Sequence, residues 1–141
     1  MLAITQRGYG QSGKPLRTGA GNELTLFAGS SHAWVKPEHY HDSFCQDLDA
    51  EEGAVLGVVQ KAPLASTFGD TVSDPAWKHK PSWYQVSTAD RMISPVNQER
   101  MAARLGARKV ISLNASHASL VSRPVEVAAL ILEAASAVAS G

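Results

Sequence analysis

Residues 83–122 decide the fold: WYQVSTADRMISPVNQERMAARLGARKVISLNASHASLVS. The first six of these residues are mostly aromatic or β-branched, which suits a pleated strand. Ser94 and Pro95 predict the start of a helix, and Gly106 predicts its left-handed end. Residues 109–114 then alternate apolar and polar side chains, as a second strand does. The helix is expected to bury Val96, Met101, Ala102 and Leu105. Two strands joined through a helix of this length predict a parallel, right-handed β-α-β unit.

Each predicted strand is followed by a residue that can carry chemistry, Asp90 after the first and His117 after the second. In an open α/β sheet, ligands bind in the crevice outside the carboxyl ends of the strands. An acid and a histidine at two such ends predict a charge pair for acyl-transfer chemistry. Taken singly, each residue has an ordinary alternative, because an Asp before a helix is often only a cap and histidine serves many roles.

The motifs around these residues resemble the end of an α/β-hydrolase of the small esterase and hydroxynitrile-lyase-like branch. The segment TADRMI at residues 88–93 is similar to the T-x-D-x-x-I stretch that carries the triad acid there. The segment SHASLVSRP at residues 116–124 is similar to the S/D-H-x-x-x-x-S-x-P stretch that carries the triad histidine. The resemblance extends over residues 34–135 and implies that Asp90 is the acid and His117 the general base.

The fold class implied is α/β, a partial α/β-hydrolase fold with a short parallel sheet, flanking helices and a small helical cap. Three parts are expected: a glycine-rich N-terminal loop region at residues 1–33, a helical cap and return loop at 34–80, and a C-terminal β-α-β-α part of the hydrolase core at 81–141. RGYGQSGKP at residues 7–15 resembles the loop after an early core strand of this family. A loop that leads into the cap is the open alternative.

Before the cap, Leu24–Phe27 is expected to form a short strand, and within the cap Pro37 is expected to open a helix that runs to about Gln46. Tyr40 and Phe44 lie four residues apart and should share its inward face. A second helix begins in outline with a capping box, formed by Asp49 and Glu52. Its buried face is expected to contain Val55, Leu56, Val58 and Val59. The glycines of this helix, Gly53 and Gly57, indicate either close helix packing or a mobile lid.

The sequence contains neither the G-x-S-x-G elbow that carries the family's nucleophile nor the H-G oxyanion-hole stretch. The resemblance therefore implies the C-terminal half of a hydrolase: a fragment, a pseudo-enzyme, or a shortened protein that uses another serine. The candidate nucleophiles are Ser12, Ser30, Ser31 and Ser116. Ser30 and Ser31 beside His32 also fit a simple polar turn.

No cofactor and no metal are predicted. His39 and His41 are two residues apart, so on a helix they point to different sides. Neither paired cysteines nor an H-E-x-x-H stretch accompanies them. The single cysteine, Cys45, is expected to be a buried small hydrophobe rather than a nucleophile.

Charge and composition indicate which classes of binding partner and which cell compartment to expect. The 13 basic and 13 acidic residues balance, which argues against nucleic acid or an anionic membrane as the main partner. No run of apolar residues is long enough to span a bilayer, and no secretory signal is visible. The single cysteine fits a reducing compartment. A cytoplasmic location is therefore expected. The last helix, from Pro124, is apolar nearly all round. Two strands cannot cover it, which predicts a homo-oligomer such as a dimer, or a missing N-terminal half.

The resemblance implies hydrolysis of a small carboxylic ester. Such an ester is the expected small-molecule partner, as the substrate. Cyanohydrin lyase chemistry uses the same residues in this branch and stays open as an alternative. A second alternative is a non-catalytic, truncated module that binds a small ligand or a partner subunit.

Overall fold

The structure is a computed structural model that describes residues 24–26 and 32–139. Two short segments, Ala65–Phe68 and Ala76–Lys78, are 3₁₀ turns. The main elements, in chain order, are β1 (Leu24–Leu26), β2 (Ala33–Val35), α1 (Pro37–Phe44), α2 (Ala50–Val59), β3 (Trp83–Ser87), α3 (Pro95–Leu105), β4 (Lys109–Leu113), α4 (Ser119–Ser122) and α5 (Pro124–Ala139).

The β3–α3–β4 unit is the parallel crossover that the sequence predicts. β3 and β4 pair in parallel, from Trp83 opposite Lys109 to Ser87 opposite Leu113. Gly106 ends α3 with a φ of 58°, a left-handed conformation that glycine adopts without a Cβ penalty. Ser94 is the residue before α3, as predicted, but its side chain makes no capping hydrogen bond with the described residues.

The buried face of α3 contains Ala102, as predicted, but also Gln98, and it does not contain Val96. Gln98 and Ala102, four residues apart, are its buried residues, whereas the side chain of Val96 is 53% exposed. The polar Gln98 is buried because its Oε1 accepts the backbone N–H of Ser87 at the end of β3, at 2.9 Å. The helix face turned to β3 therefore buries a hydrogen-bonded amide, and Val96, two residues earlier, lies on a different side of the helix.

β1 and β2 form a separate antiparallel pair, with Thr25 opposite Trp34. The predicted strand Leu24–Phe27 is present over Leu24–Leu26, and Phe27 lies outside the described residues. β2 was not predicted. The side chain of Gln60, just after α2, donates to the carbonyl of Val35 and accepts its N–H, so this hairpin is tied to the end of α2.

α1 and α2 pack through glycines. A Cβ added at Gly57 would lie 3.3 Å from the Tyr40 side chain, and one at Gly53 would lie 2.4 Å from Cδ2 of His41. These glycines are the buried residues of α2. Their burial favours close helix packing over a mobile lid as the reason for glycine at these positions. The predicted buried face was wrong for Val55, Val58 and Val59, which are exposed, whereas Leu56 is partly buried against the apolar cluster of Tyr40 and Cys45.

α1 ends at Phe44, two residues before the predicted end, and the rings of Tyr40 and Phe44 stack with centroids 4.9 Å apart. Cys45, directly after α1, is fully buried, as expected. Tyr40 and Cys45 form one apolar cluster with Ala118, the residue after His117. This cluster brings the end of α1 against the loop that follows β4.

α5 begins at Pro124, as predicted, and buries Val127 and Ala134. Several of its other apolar side chains remain exposed, among them Val125, Leu132 and Val138. α4 is a single helical turn between the loop of His117 and α5. No helix in the described part of the chain is long and apolar enough to cross a membrane.

Candidate active site

Asp90 and His117 meet at the carboxyl edge of the parallel pair. The chain continues the ladder beyond both strands, since the N–H of Thr88 donates to Leu113 and that of Ala89 donates to Ala115. His117 Nδ1 lies 2.9 Å from Oδ2 of Asp90, and the two side chains are only 13% and 4% exposed. The register of two parallel strands thus places these residues, 27 positions apart in sequence, in direct contact.

The carboxylate of Asp90 is held by hydrogen bonds from its own loop. Its Oδ1 accepts the backbone N–H groups of Met92 at 2.7 Å and Ile93 at 2.9 Å. Asp90 therefore orders the turn before α3, which is the local role that a residue in this position commonly has. It does so with one oxygen and engages His117 with the other.

Gln98 is a member of the site that sequence reasoning missed. Its Nε2 donates to Oδ2 of Asp90 at 2.8 Å and to the carbonyl of Ile93 at 2.9 Å. Because Gln98 is also bonded to the backbone of Ser87, it fixes Asp90 against the end of β3. The available signal was its position four residues before Ala102, on the helix face turned to the sheet.

The imidazole of His117 is oriented on two sides. The carboxylate of Asp90 can only accept, so the Nδ1 that faces it carries the proton. The proton-accepting nitrogen of the neutral ring is then Nε2. On the other side, the ring of Phe44 contacts the imidazole edge-on, with centroids 4.5 Å apart. This arrangement suits a general base that is held in one tautomer.

Of the candidate nucleophiles, Ser12, Ser30 and Ser31 lie outside the described residues. Ser116 is described and is fully buried, with its hydroxyl accepting the N–H of Ala118 at 3.1 Å. In this arrangement its Oγ is out of reach of a substrate. Sequence adjacency to His117 therefore does not bring Ser116 to the exposed side of the site.

Cys45 lies near the site without the electrostatics of a nucleophile. Burial raises the pKa of the Cys45 thiol, and the negative charges of Asp47 and Glu52 raise it further. A thiol of this kind stays protonated at neutral pH, and the thiolate is the reactive species. Burial and the negative charge of Asp90 likewise raise the pKa of Tyr84, which keeps its hydroxyl neutral.

The two histidines of α1 differ in their surroundings. Nε2 of His41 lies 3.0 Å from the carbonyl of Leu48, and His39 is exposed on α1. Within residues 24–26 and 32–139, no group of three or more His, Cys, Asp and Glu side chains could hold a metal ion.

Residues 2–130 match the α/β hydrolase family. Among solved structures, polyneuridine aldehyde esterase is similar, with a TM-score of 0.62 and 15% identity over 72% of this chain and 42% of that one. A methylesterase from Arabidopsis is similar with a TM-score of 0.63 and 15% identity over 82% of this chain and 52% of that one. No curated protein sequence matches.

The chain therefore spans about half the length of the esterases that it matches. At 15% identity these likenesses show a shared fold. The family match carries the assignment, since it extends over most of the sequence, and it confirms the resemblance that the motifs around Asp90 and His117 indicate. The chain is thus a member of the α/β-hydrolase family.

Proposed function

We propose that this chain acts on small carboxylic esters as a serine-hydrolase-like protein, with His117 as general base and Asp90 as the acid that orients it. The observation that carries the proposal is the 2.9 Å contact between His117 Nδ1 and Asp90, both largely shielded from water. A second His–Asp contact, between His79 and Asp74, has a similar distance of 2.8 Å but is open to solvent. The two pairs differ in burial, because only Asp90 and His117 are shielded from water, at the carboxyl ends of β3 and β4.

The chemistry follows from the tautomer of His117. Nε2 takes the proton of an attacking hydroxyl as its oxygen bonds to the ester carbonyl carbon. The imidazolium that forms is stabilised by the carboxylate of Asp90, and the proton then passes to the leaving alkoxide as its bond to carbon breaks. Water repeats the two steps on the acyl intermediate, which releases the acid and restores the serine.

The attacking hydroxyl in this proposal belongs to Ser12, Ser30 or Ser31, or to another chain. The buried position of Ser116 disfavours it for this role. If the hydroxyl comes from another chain, the active species is a homo-oligomer or a complex with an N-terminal half of the fold. We place the protein in the cytoplasm as part of the same proposal.

The second candidate function is a non-catalytic module that binds a partner subunit. The observation that favours it is the apolar surface of α5, where Val125 is 77% exposed and Leu132 is 67% exposed. A covalent serine probe separates the two candidates, because it labels a hydrolase and leaves a binding module unlabelled.

The test is hydrolysis of p-nitrophenyl acetate and butyrate by wild type and by His117→Ala, on protein whose mass is measured by light scattering. We expect His117→Ala to lower the rate about 10²–10⁴-fold, the usual contribution of a general acid–base group. The matched control is His79→Ala, which removes a histidine from the exposed pair with Asp74. It also measures how much an ordinary surface imidazole contributes to hydrolysis of an activated ester.

Equal rates for wild type and His117→Ala would contradict the proposal. The light-scattering mass then shows whether the protein associates, as the binding module requires. A loss of rate in His79→Ala as large as that in His117→Ala would also contradict it, since the buried pair would have no special role.

A further inference from the structure

The end of α1 and the residues that follow it contact the loop of His117 on both sides of that residue. Oδ2 of Asp47 accepts the backbone N–H of Ser116 at 2.8 Å. The carbonyl of Phe44 accepts the N–H of Ala118 at 3.1 Å, and the ring of Phe44 contacts His117. The backbone immediately before and after the imidazole is therefore held by this one segment.

The same segment contacts the loop of Asp90. Nε2 of Gln46 donates to the carbonyl of Ala89 at 2.6 Å. The guanidinium of Arg91 donates to the carbonyl of Asp42 at 2.9 Å and also to its carboxylate. Residues 42–47 thus bridge the two loops whose tips carry Asp90 and His117. We call these six residues the bridging segment.

Asp47 is the charged member of the bridging segment that faces the His117 loop. Burial acts to raise the pKa of Asp47, but the hydroxyls of Ser116 and Ser122 and the backbone N–H of Ser116 outweigh it and hold the pKa below its ordinary value. Of these groups only the backbone N–H of Ser116 makes a hydrogen bond of full geometry to the carboxylate, at Oδ2, so we attribute the effect mainly to that contact. The carboxylate is therefore well matched to accept a backbone N–H.

We propose that Asp47 is a positioning residue: through the backbone of Ser116 it holds the His117 imidazole in hydrogen-bonding contact with Asp90. The inference rests on the proposed function only in that His117 is taken as the base. A backbone N–H that donates to a carboxylate makes a stronger hydrogen bond than one that donates to a neutral acceptor. A misplacement of about 1 Å at a reacting group can cost on the order of 10²-fold in rate.

The chain supplies a closely matched control two residues away. Oδ1 of Asp49 accepts the N–H of Glu52 at 2.8 Å, the same distance as the Asp47 contact, but this hydrogen bond caps α2. Asp47 and Asp49 both lie in the α1–α2 connection, and the carboxylate of each accepts one backbone N–H. Asp47→Ala and Asp49→Ala therefore each delete one such acceptor. Only the first deletion removes a restraint on the His117 loop.

Two readouts test the positioning directly. We expect hydrogen exchange of the Ser116 amide to accelerate about 10- to 100-fold in Asp47→Ala, relative to amides of β3 and β4, because hydrogen bonds to charged groups are worth about that factor. We also expect the downfield proton resonance of His117 Nδ1–H to broaden or vanish. In Asp49→Ala both signals should match wild type.

Activity gives a third readout. In Asp47→Ala, kcat should fall while KM stays unchanged, because Asp47 acts on the base through the backbone of Ser116 and does not contact the substrate. If wild type hydrolyses no ester, the proposed function fails, but the exchange and proton signals still decide whether Asp47 positions His117.

Equal Ser116 exchange and an equal Nδ1–H resonance in the two alanine variants would overturn the inference. Should Asp47→Ala not fold, Asp47→Asn decides in its place. Its amide oxygen is a weaker acceptor than a carboxylate, so Ser116 exchange should still be faster than in Asp49→Asn. Exchange as slow as in Asp49→Asn would overturn the inference in that case.

Discussion

Asp90→Asn is the substitution that separates the charge of the acid from its shape. The wild-type carboxylate accepts from four donors: two backbone N–H groups at Oδ1, and Gln98 and His117 at Oδ2. An amide has one accepting oxygen and one donating nitrogen. Since the two backbone N–H groups cannot turn round, the oxygen should stay with them, and the new NH₂ group should face Gln98 and His117.

The consequence for His117 is a change of tautomer. Nδ1 must then accept rather than donate, so the proton moves to Nε2 and that nitrogen can no longer act as a base. We expect kcat to fall about 10²–10⁴-fold. The charge-assisted hydrogen bonds to Oδ2 are weakened or lost, which should lower the free energy of unfolding by about 1.5–3 kcal/mol.

Three measurements follow this prediction: kcat for p-nitrophenyl butyrate, the urea midpoint, and the ¹⁵N shifts of His117, which report the tautomer. Asp74→Asn is the control, because it makes the same change in the exposed pair with His79 and should leave all three unchanged. A variant that keeps the wild-type kcat with the proton still on Nδ1 of His117 would refute the reasoning.

Two further predictions concern the cap. Gly53→Ala should lower the free energy of unfolding by about 1–3 kcal/mol in urea, because the new methyl group would meet the His41 ring, which is anchored on Leu48; a gain in stability from helix propensity would show instead that the ring gives way easily. For Asp47, the folded-state pKa lies below the unfolded one, so its contribution to stability is present above about pH 4 and is lost as the pH falls through the folded-state pKa. The difference in urea midpoint between wild type and Asp47→Asn should therefore shrink between neutral pH and about pH 3, and a difference that does not change with pH would contradict the assignment.

Local sequence was sufficient for the β3–α3–β4 unit. Its strands are aromatic and β-branched, its helix starts at Ser94–Pro95, and Gly106 supplies the left-handed end. Each of these signals acts over a few residues. The parallel direction then follows from the length of the crossover, and with it the meeting of Asp90 and His117 at one edge.

Local sequence misled where packing outweighed hydrophobicity. In α2 the valines suggested the buried face, but the glycines are buried because they let α1 approach closely. In α3 the apolar spacing suggested Val96, but Gln98 is buried because the end of β3 and Asp90 satisfy its amide group. In both helices the decisive partner lies on another element, which a periodicity argument does not include.

The sequence by itself determined the strands and the helix of the β3–α3–β4 unit, and it placed Asp90 and His117 after the two strands. It also determined the family to which the chain belongs. Tertiary structure alone decided what surrounds the pair. Asp47 lies 69 positions from Ser116, and Gln46 lies 43 positions from Ala89, yet these contacts hold the two loops. The physical reason is range: propensity and turn chemistry act between neighbours in the chain, whereas a hydrogen bond between distant residues exists only after packing has brought them together.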